Sequence, residues 1–498
     1  MAENVFMSYV SASMEGNTMI SHAGCSGILI ARDCVLAHGS ILDPVLSRSA
    51  DSLRFFTALN SGDLVRTPDG LIDDLTFQIR RSHSSFKDES AKLVAVWRCP
   101  LLKETLDVSL ASFTFNNQRG FNRLLLSVFL VIKFSNSLET STEQTKAREK
   151  NTFAQDDRSS ERRKIEQILS QLANQAATGQ LTKGAIVELI STPFGNPFFR
   201  DSTSHGIVGN LLGVDDCLIL VDVTSFPGCE GSPIFSTNDR GERSICGMVI
   251  ASLIQCRGEW MNCTFAANLL PSLKLILRDR VSKGDFQYSS YAMPLPCRIP
   301  TRKNILEKSV AIVKCGPNWG TGTLLDEQSG TFVTCAHVVT MAPETTIKLA
   351  TSHADRYEWF AEASLIYKTS NEQPYDVAVL KIDRKFKEHS MKAIKLADRD
   401  AQTGEQILSI GFPISLKGRP TVSSGVVSKS SKHMLQTNCC VYSGVSGGPI
   451  VRRANFEMLG IVVCNVALSN DSLSYPRLCM AIPTVVLKNP LDDYLRTA

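Results

Sequence analysis

The chain has 498 residues, 43% apolar and 20% charged, with 53 Lys plus Arg against 49 Asp plus Glu. That balance excludes a disordered chain, a collagen-like fibre or a disulfide-stapled miniprotein, and at roughly 100 to 200 residues per domain the length predicts two to four domains. A net charge of +4 over this length gives no electrostatic footprint for nucleic acid or an anionic membrane.

The opening stretch, MAENVFMSYVSASMEGN, lacks a basic region followed by an apolar one, so no secretory signal is expected. The 15 cysteines include no C-x-x-C pair, which leaves zinc ribbons and thioredoxin-like redox motifs unsupported and predicts reduced, packed thiols. Short Val- and Ile-rich runs then recur: CSGILIA, GAIVELIST, CLILVDV and ICGMVIASL, followed by SVAIVKC, GTFVTCA, YDVAVLKI, EQILSIGF and MLGIVVCNV. Gly, Pro, Asn, Asp or Ser separate them, the pattern of antiparallel sandwiches or barrels rather than of alternating strand and helix.

The run from Leu124 to Ile132 is about half the length that crosses a bilayer and sits between Arg123 and Lys133, so it reads as a buried strand or helix. From Glu139 to Gln167 the chain is charged and nearly free of aliphatics, as in a solvated linker or exposed helix. Three prolines between Ser282 and Asn304 mark an interdomain boundary.

The two halves repeat each other. GTGTLL, TCAHVV, YDVAVL, ILSIGFP, SGVVS, SGVSGGPIV, MLGIVV and MAIPTVV in the second half are paralleled in order by CSGILI, VLAHGS, LDVSLA, LISTPF, HGIVGN, PGCEGSPIF, CGMVIA and FAANLL in the first. This predicts two copies of one β-rich module, residues 1–280 and 305–498, with a linker at 281–304 and a charged insert in the first copy near 139–167. The stretch RGFNRLLLSVFLVIKFSNS, residues 119–137, matches nothing in the second copy and reads as an insertion or a gene-model artefact.

Three strings in the second copy carry chemistry. Ser443-Gly444-Val445-Ser446-Gly447-Gly448-Pro449-Ile450 places a serine between glycines, which permit a tight turn and close approach of a substrate backbone. A Gly-Ser loop joining two strands would look alike, and a lone His or Asp beside a strand is usually structural. Here, however, His337 follows one β run, Asp376 opens another and Ser446 comes third, the order of the chymotrypsin-type triad.

At these T-x-A-H, D-V-A-V-L and G-x-S-G-G-P motifs the chain resembles the chymotrypsin-fold serine proteases. The resemblance implies an all-β chain of two tandem modules, each a pair of six-stranded antiparallel β-barrels, the first module degenerate. It implies a serine endopeptidase with Ser446 as nucleophile, His337 as general base and then acid, Asp376 orienting the imidazole, and the N–H groups of Gly444 and Ser446 as oxyanion hole. No metal or cofactor is expected. Val445 stands where secreted members keep the Asp that pairs with the new N-terminus, and Val338 where they keep a disulfide Cys. Both departures point to the HtrA/Deg-like branch.

In that family the pocket floor falls at Cys440 and the wall at Val463, Cys464 and Asn465. With no acid at the floor, a bound Lys or Arg would lack a counter-charge. Cleavage after a small or neutral residue, Cys or Ala first, is therefore expected. The first copy keeps His38 and Asp107 but places Glu230 where Ser446 stands, which implies a structural or interaction role. A working module behind a disarmed one resembles the peroxisomal processing branch. That implies a place in the peroxisome matrix, precursor partners with type 1 or type 2 targeting signals, self-cleavage and a homodimer, with no nucleic acid and no membrane. The ending Tyr494 to Ala498 is not a Ser-Lys-Leu type signal. The alternatives are a generic HtrA/Deg-like quality-control protease, or a non-catalytic chaperone or scaffold.

Overall fold

The computed structural model describes residues 2–11, 20–46, 49–59, 62–68, 75–81, 88–115, 123–135, 154–178, 181–237, 241–252, 254–256, 259–261, 263–278, 306–342, 344–353, 356–370, 372–382, 391–413, 419–467 and 474–487. The expected linker at 281–304, the charged stretch before residue 154 and the ending from Tyr494 to Ala498 lie outside the described residues. Two compact units divide the chain, one drawn mainly from residues 1–294 and the other mainly from 295–498.

Four rings of six antiparallel strands build these units. In the first unit, β1 to β6 are Glu3–Ser11, Ile20–Ala31, Cys34–His38, Leu75–Arg81, Glu89–Arg98 and Val128–Phe134, and β7 to β12 are Ile186–Ser191, Ser202–Leu212, Leu218–Val221, Pro233–Thr237, Arg243–Ala251 and Thr264–Asn268. In the second unit, β13 to β18 are Val310–Cys315, Asn318–Asp326, Thr331–Thr334, Ile347–His353, Arg356–Lys368 and Ala378–Ile382, and β19 to β24 are Gln406–Gly411, Thr421–Ser430, Leu435–Thr437, Pro449–Arg452, Met458–Ala467 and Ser474–Pro483.

Around each ring the neighbour order is first, second, third, sixth, fifth, fourth, and closure removes the open edges a sheet would otherwise present. This is the all-β, paired-barrel chymotrypsin-like architecture the motifs implied. Inward positions fill each ring with aliphatics: Val5, Met7, Val35 and Ile132 in the first, Val313, Leu324, Val333 and Leu380 in the third, and Ile407, Val427, Ile450 and Val462 in the fourth. Among the described residues no helix is long and apolar enough to cross a membrane.

Two expectations about the first unit are overturned. The stretch at 119–137 is no insertion: β6 lies within it, every residue of β6 is buried, and it pairs Cys34 with Lys133 in β3 and Ala91 with Phe134 in β5. It is the ring-closing counterpart of β18. Sequence matching missed it because a strand buried on both sides needs only apolar bulk, and many apolar strings satisfy that. The LDVSLA string that seemed to parallel YDVAVL instead lies in helix α1, Pro100–Ser109, which starts with Pro at its favoured N-terminal position and buries Leu102, Thr105 and Leu106 at helical spacing.

The charged segment before Gln167 enters helix α2, Ala154–Ala177. From Ile165 onward it buries Ile165, Leu169, Leu172, Ala173 and Ala176, an apolar stripe that continues past the window read as solvated. Near its start, Glu161 lies 3.7 Å from Lys133 of β6.

The second unit has one conspicuous buried charge. Arg452 of β22 is 2% exposed and its guanidinium is fully engaged: Nε bonds Glu405 at 2.7 Å, Nη1 bonds Glu457 at 3.3 Å, and Nη2 bonds the carbonyls of Arg399 and Asp400 at 2.7 and 3.0 Å.

Candidate active site

His337 sits in the turn Ala336–Val339 that leaves β15, and Asp376 lies two residues before β18. Because Thr334 pairs with Ala378 across those strands, the two residues emerge side by side. His337 Nδ1 lies 2.5 Å from Asp376 Oδ2, and the His337 N–H donates to Oδ1 at 2.9 Å. Burial pushes the Asp376 carboxyl up, but the hydrogen bonds from the His337 ring and backbone outweigh it and hold the carboxyl below its usual value. An ionised carboxylate there fixes the proton on Nδ1 and leaves Nε2 as the free acceptor.

Ser446 sits in a turn bounded by Gly444 and Gly447, with φ of +100° and +86°. A side chain at Gly447 would strike the Thr321 carbonyl at 2.1 Å, so glycine is required there for space as well as conformation. The turn is held by Val445 N–H to Tyr442 O, Gly447 N–H to Val462 O and Gly448 N–H to Val445 O. Among the described residues, no acceptor takes the N–H groups of Gly444 or Ser446. These are the two donors an oxyanion needs.

The pairing of β23 with β24 shifts between Val462 and Cys464, and the Ser446 hydroxyl donates to the carbonyl of Val463, at the bulge, at 3.0 Å. Its proton is therefore given to Val463 here, and it must leave that carbonyl before the imidazole can accept it.

The expected pocket residues distribute as follows. Val463 reaches the nucleophile through its carbonyl. Cys440 is 5% exposed, with its N–H bonded to Ser423 Oγ at 2.8 Å. Cys464 is an exposed thiol pushed up by partial burial and by the Asp376 charge. Asn465 pairs with Cys479 through its backbone, and its side chain lies outside the described residues. Cys479 was not foreseen: burial pushes its thiol up to about 12, with Cys464 and Cys440 adding to the shift, so three thiols share this corner.

The first unit repeats the turn with different chemistry. Cys229 N–H bonds Phe226 O, Gly231 N–H bonds Val249 O, Ser232 N–H bonds Cys229 O and Ser26 N–H bonds Glu230 O. These match, bond for bond, the contacts of Val445, Gly447, Gly448 and Thr321 with Tyr442, Val462, Val445 and Ser446. Glu230 thus occupies the place of Ser446, and Gly228 and Gly231 keep φ of +92° and +85°. The Glu230 carboxylate curls back to accept from Gly228 N–H at 2.7 Å and from Ser252 Oγ at 2.6 Å. The donor equivalent to Gly444 N–H is therefore already taken by an internal anion.

His38 ends β3 as expected, but the structure does not bring Asp107 to it. Asp107 lies on α1 with Lys103 at 2.8 Å and Arg123 at 3.8 Å. His38 is fully buried, its Nδ1 beside Ser40 Oγ at 2.9 Å and its Nε2 beside the Leu126 carbonyl at 3.2 Å. Burial lowers its pKa to about 4. A folded value below the usual one means that the unfolded chain binds more protons between these values. This stability is complete above about pH 6.5 and is lost as pH falls toward 4. Acidification from pH 7 to 5 is expected to cost the first unit about 2 kcal/mol, and denaturant titration of His38→Phe should show a flatter pH dependence.

Cys335, His337 and Asp376 bring a thiol, a ring nitrogen and a carboxylate within 4.8 Å of one another, donors a zinc ion could take. His337 and Asp376 are instead bonded to each other, and burial and then the Asp376 charge push the Cys335 thiol well up, against the thiolate a metal would take. Cys335 also donates to Val462 O at 3.2 Å. Beside it, the alternating threonines of GTGTLL contact the nucleophile turn: Thr321 Oγ1 donates to Gly444 O at 2.7 Å and Thr323 Oγ1 to Gly447 O at 2.9 Å. Inward threonines on an otherwise apolar strand were the signal that could have revealed them.

The barrel order and these motifs define a trypsin-like serine endopeptidase domain, and residues 320–461 match the family described as trypsin-like peptidase domain. The chain is 27% identical to the peroxisomal leader peptide-processing protease of Homo sapiens over 64% of its own length and 57% of that protein's. The Mus musculus protein of the same name matches at 27% over 65% and 57%. The periplasmic serine endoprotease DegP of Escherichia coli is 30% identical over 34% of each chain. The chain is thus similar to the peroxisomal leader peptide-processing proteases, of which it spans a little over half the length, and over a third of its own length to DegP.

Proposed function

We propose that the second unit is an endopeptidase that removes leader peptides from imported peroxisomal proteins. The observation carrying this reading is the His337–Asp376 pair beside a glycine-framed Ser446 whose turn keeps two N–H groups unspent. In the reaction, Ser446 Oγ attacks the scissile carbonyl as His337 Nε2 takes its proton, and Asp376 stabilises the imidazolium. The oxyanion falls between Gly444 N–H and Ser446 N–H. The leaving amine then takes the proton from His337, and water repeats the sequence to free Ser446. The first unit, its hole filled by Glu230, acts as a structural or interaction partner. A matrix location, a homodimer, self-cleavage and precursors with type 1 or type 2 signals accompany this reading through the resemblance.

The test is to incubate wild type and Ser446→Ala with purified leader-bearing precursors and sequence the new N-termini. Cleavage after Cys or Ala by wild type alone is expected. A profile dominated by Lys or Arg would contradict the neutral floor at Cys440. Equal digestion of an unrelated unfolded protein favours the quality-control reading, for which the DegP similarity speaks. No cleavage by wild type favours a scaffold. General-base catalysis by His337 gives the pH–rate profile an acid limb, and a profile without one would remove it as the base.

A further inference from the structure

Glycine at 444 permits its flanking peptides to point either way; Val445 N–H to Tyr442 O and Gly448 N–H to Val445 O hold them from within the turn, and a positioning residue outside it would secure the orientation that aims N–H groups at an oxyanion. We propose that Thr321 is that positioning residue, a tether from the third ring that holds the oxyanion hole of the fourth in its productive form. The inference rests on the protease reading above.

Thr321 is wholly buried on β14 and touches both ends of the turn. Its N–H donates to Ser446 O at 2.8 Å and its hydroxyl to Gly444 O at 2.7 Å. The direction of the second bond is fixed, because a carbonyl oxygen can only accept; Oγ1 spends its one proton there and itself accepts from Phe412 N–H at 3.0 Å. Thr334 Oγ1 in turn donates to the Thr321 carbonyl at 2.8 Å. With the Gly444 and Ser446 carbonyls pinned by Thr321 and the Val445 carbonyl between them by Gly448 N–H, the Ser446 N–H has one direction left, and the Gly444 carbonyl cannot swing round to disturb its own N–H. The first unit keeps a hydroxyl in this place: Ser26 donates its N–H to Glu230 O, and its Oγ accepts from Thr192 N–H at 2.9 Å. There, the Glu230 carboxylate itself binds the Gly228 N–H.

The experiment compares the full chain as wild type, Thr321→Val, Thr321→Ser and Thr323→Val on a quenched peptide with Cys before the scissile bond, recording kcat, KM, the pH profile and thermal unfolding. Valine keeps the shape and removes the donor. Thr321→Val is expected to lower kcat about 30-fold, less than the roughly 100- to 1000-fold cost of deleting a hole donor outright. KM and the acid limb should stay in place, because substrate binding and His337 are untouched. Thr321→Ser should restore kcat to within about threefold, and Thr323→Val, an equally buried peg to the far side of the turn, should cost comparable stability while leaving kcat within about threefold. If the valine variant does not fold, Thr321→Cys, a weaker donor in the same place, should show a smaller fall in kcat at unchanged KM.

Retained kcat in Thr321→Val, or an equal fall in Thr323→Val, overturns the tether while the protease reading stands. Wild type that cleaves no better than Ser446→Ala overturns both.

Discussion

Ser446→Ala is expected to abolish peptide-bond cleavage, with kcat down by about a millionfold and KM little changed, because the nucleophile acts as a unit with its base. What survives is the slow attack of water assisted by the Gly444 and Ser446 N–H groups, which the substitution leaves in place. A fluorophosphonate should label wild type at Ser446 and leave the variant unmarked. The reverse substitution in the first unit, Glu230→Ser, should give no labelling there. Its turn is correct, but His38 Nε2 is bonded to the Leu126 carbonyl and Asp107 is occupied on a helix surface. Labelling at position 230 would show that the site is less thoroughly disarmed than its geometry indicates.

The largest stability effect is expected at Arg452. Arg452→Met removes the buried member of this cluster, leaves two carbonyls without their donor, and leaves Glu405 and Glu457 only their exposed partners, Arg399 and Lys395. Breaking a buried pair from one side costs about 3–5 kcal/mol, which corresponds to a fall of about 10 °C in Tm for a unit of this size. Restoring the balance with Glu405→Gln should recover part of the loss, because an uncharged amide tolerates burial without a partner cation. At Glu405, burial raises the carboxyl, but the Gln402 N–H and Arg452 bonds prevail and hold it low. Its contribution is therefore present above the usual carboxylate range and disappears as acid protonates it. A melting curve of Arg452→Met that overlays wild type would refute this account.

Much of the fold and the second-unit site was legible because each depended on a local pattern. Strands announced themselves by Val and Ile between turn residues, and a tight turn with positive φ at Gly444 and Gly447 can be written in few other ways. Glu230 could be set opposite Ser446 because the same glycines bracket it. What was not legible depended on distance in the chain. The counterpart of β18 is a strand apolar but for Lys133, with no motif to anchor an alignment, so LDVSLA, with its Asp107, was matched in its place. The tether at Thr321, the Cys479 thiol beside Cys464 and the turning of the Ser446 hydroxyl toward Val463 each arise where two rings or two strands meet. Nothing in the neighbouring residues specifies those meetings.

The Glu230 carboxylate in the first unit has a consequence for the history of the chain. Recovering a second protease would take a serine at 230, an acid beside His38 and release of His38 from the Leu126 carbonyl. None of these changes gives activity without the others, so selection for cleavage has no gradient to follow back. The same carboxylate satisfies a half-buried donor and a buried hydroxyl, so stability favours keeping it. The loss works as a ratchet: the first unit is free to diverge toward any role its surface serves, while the burden of chemistry rests on the second alone.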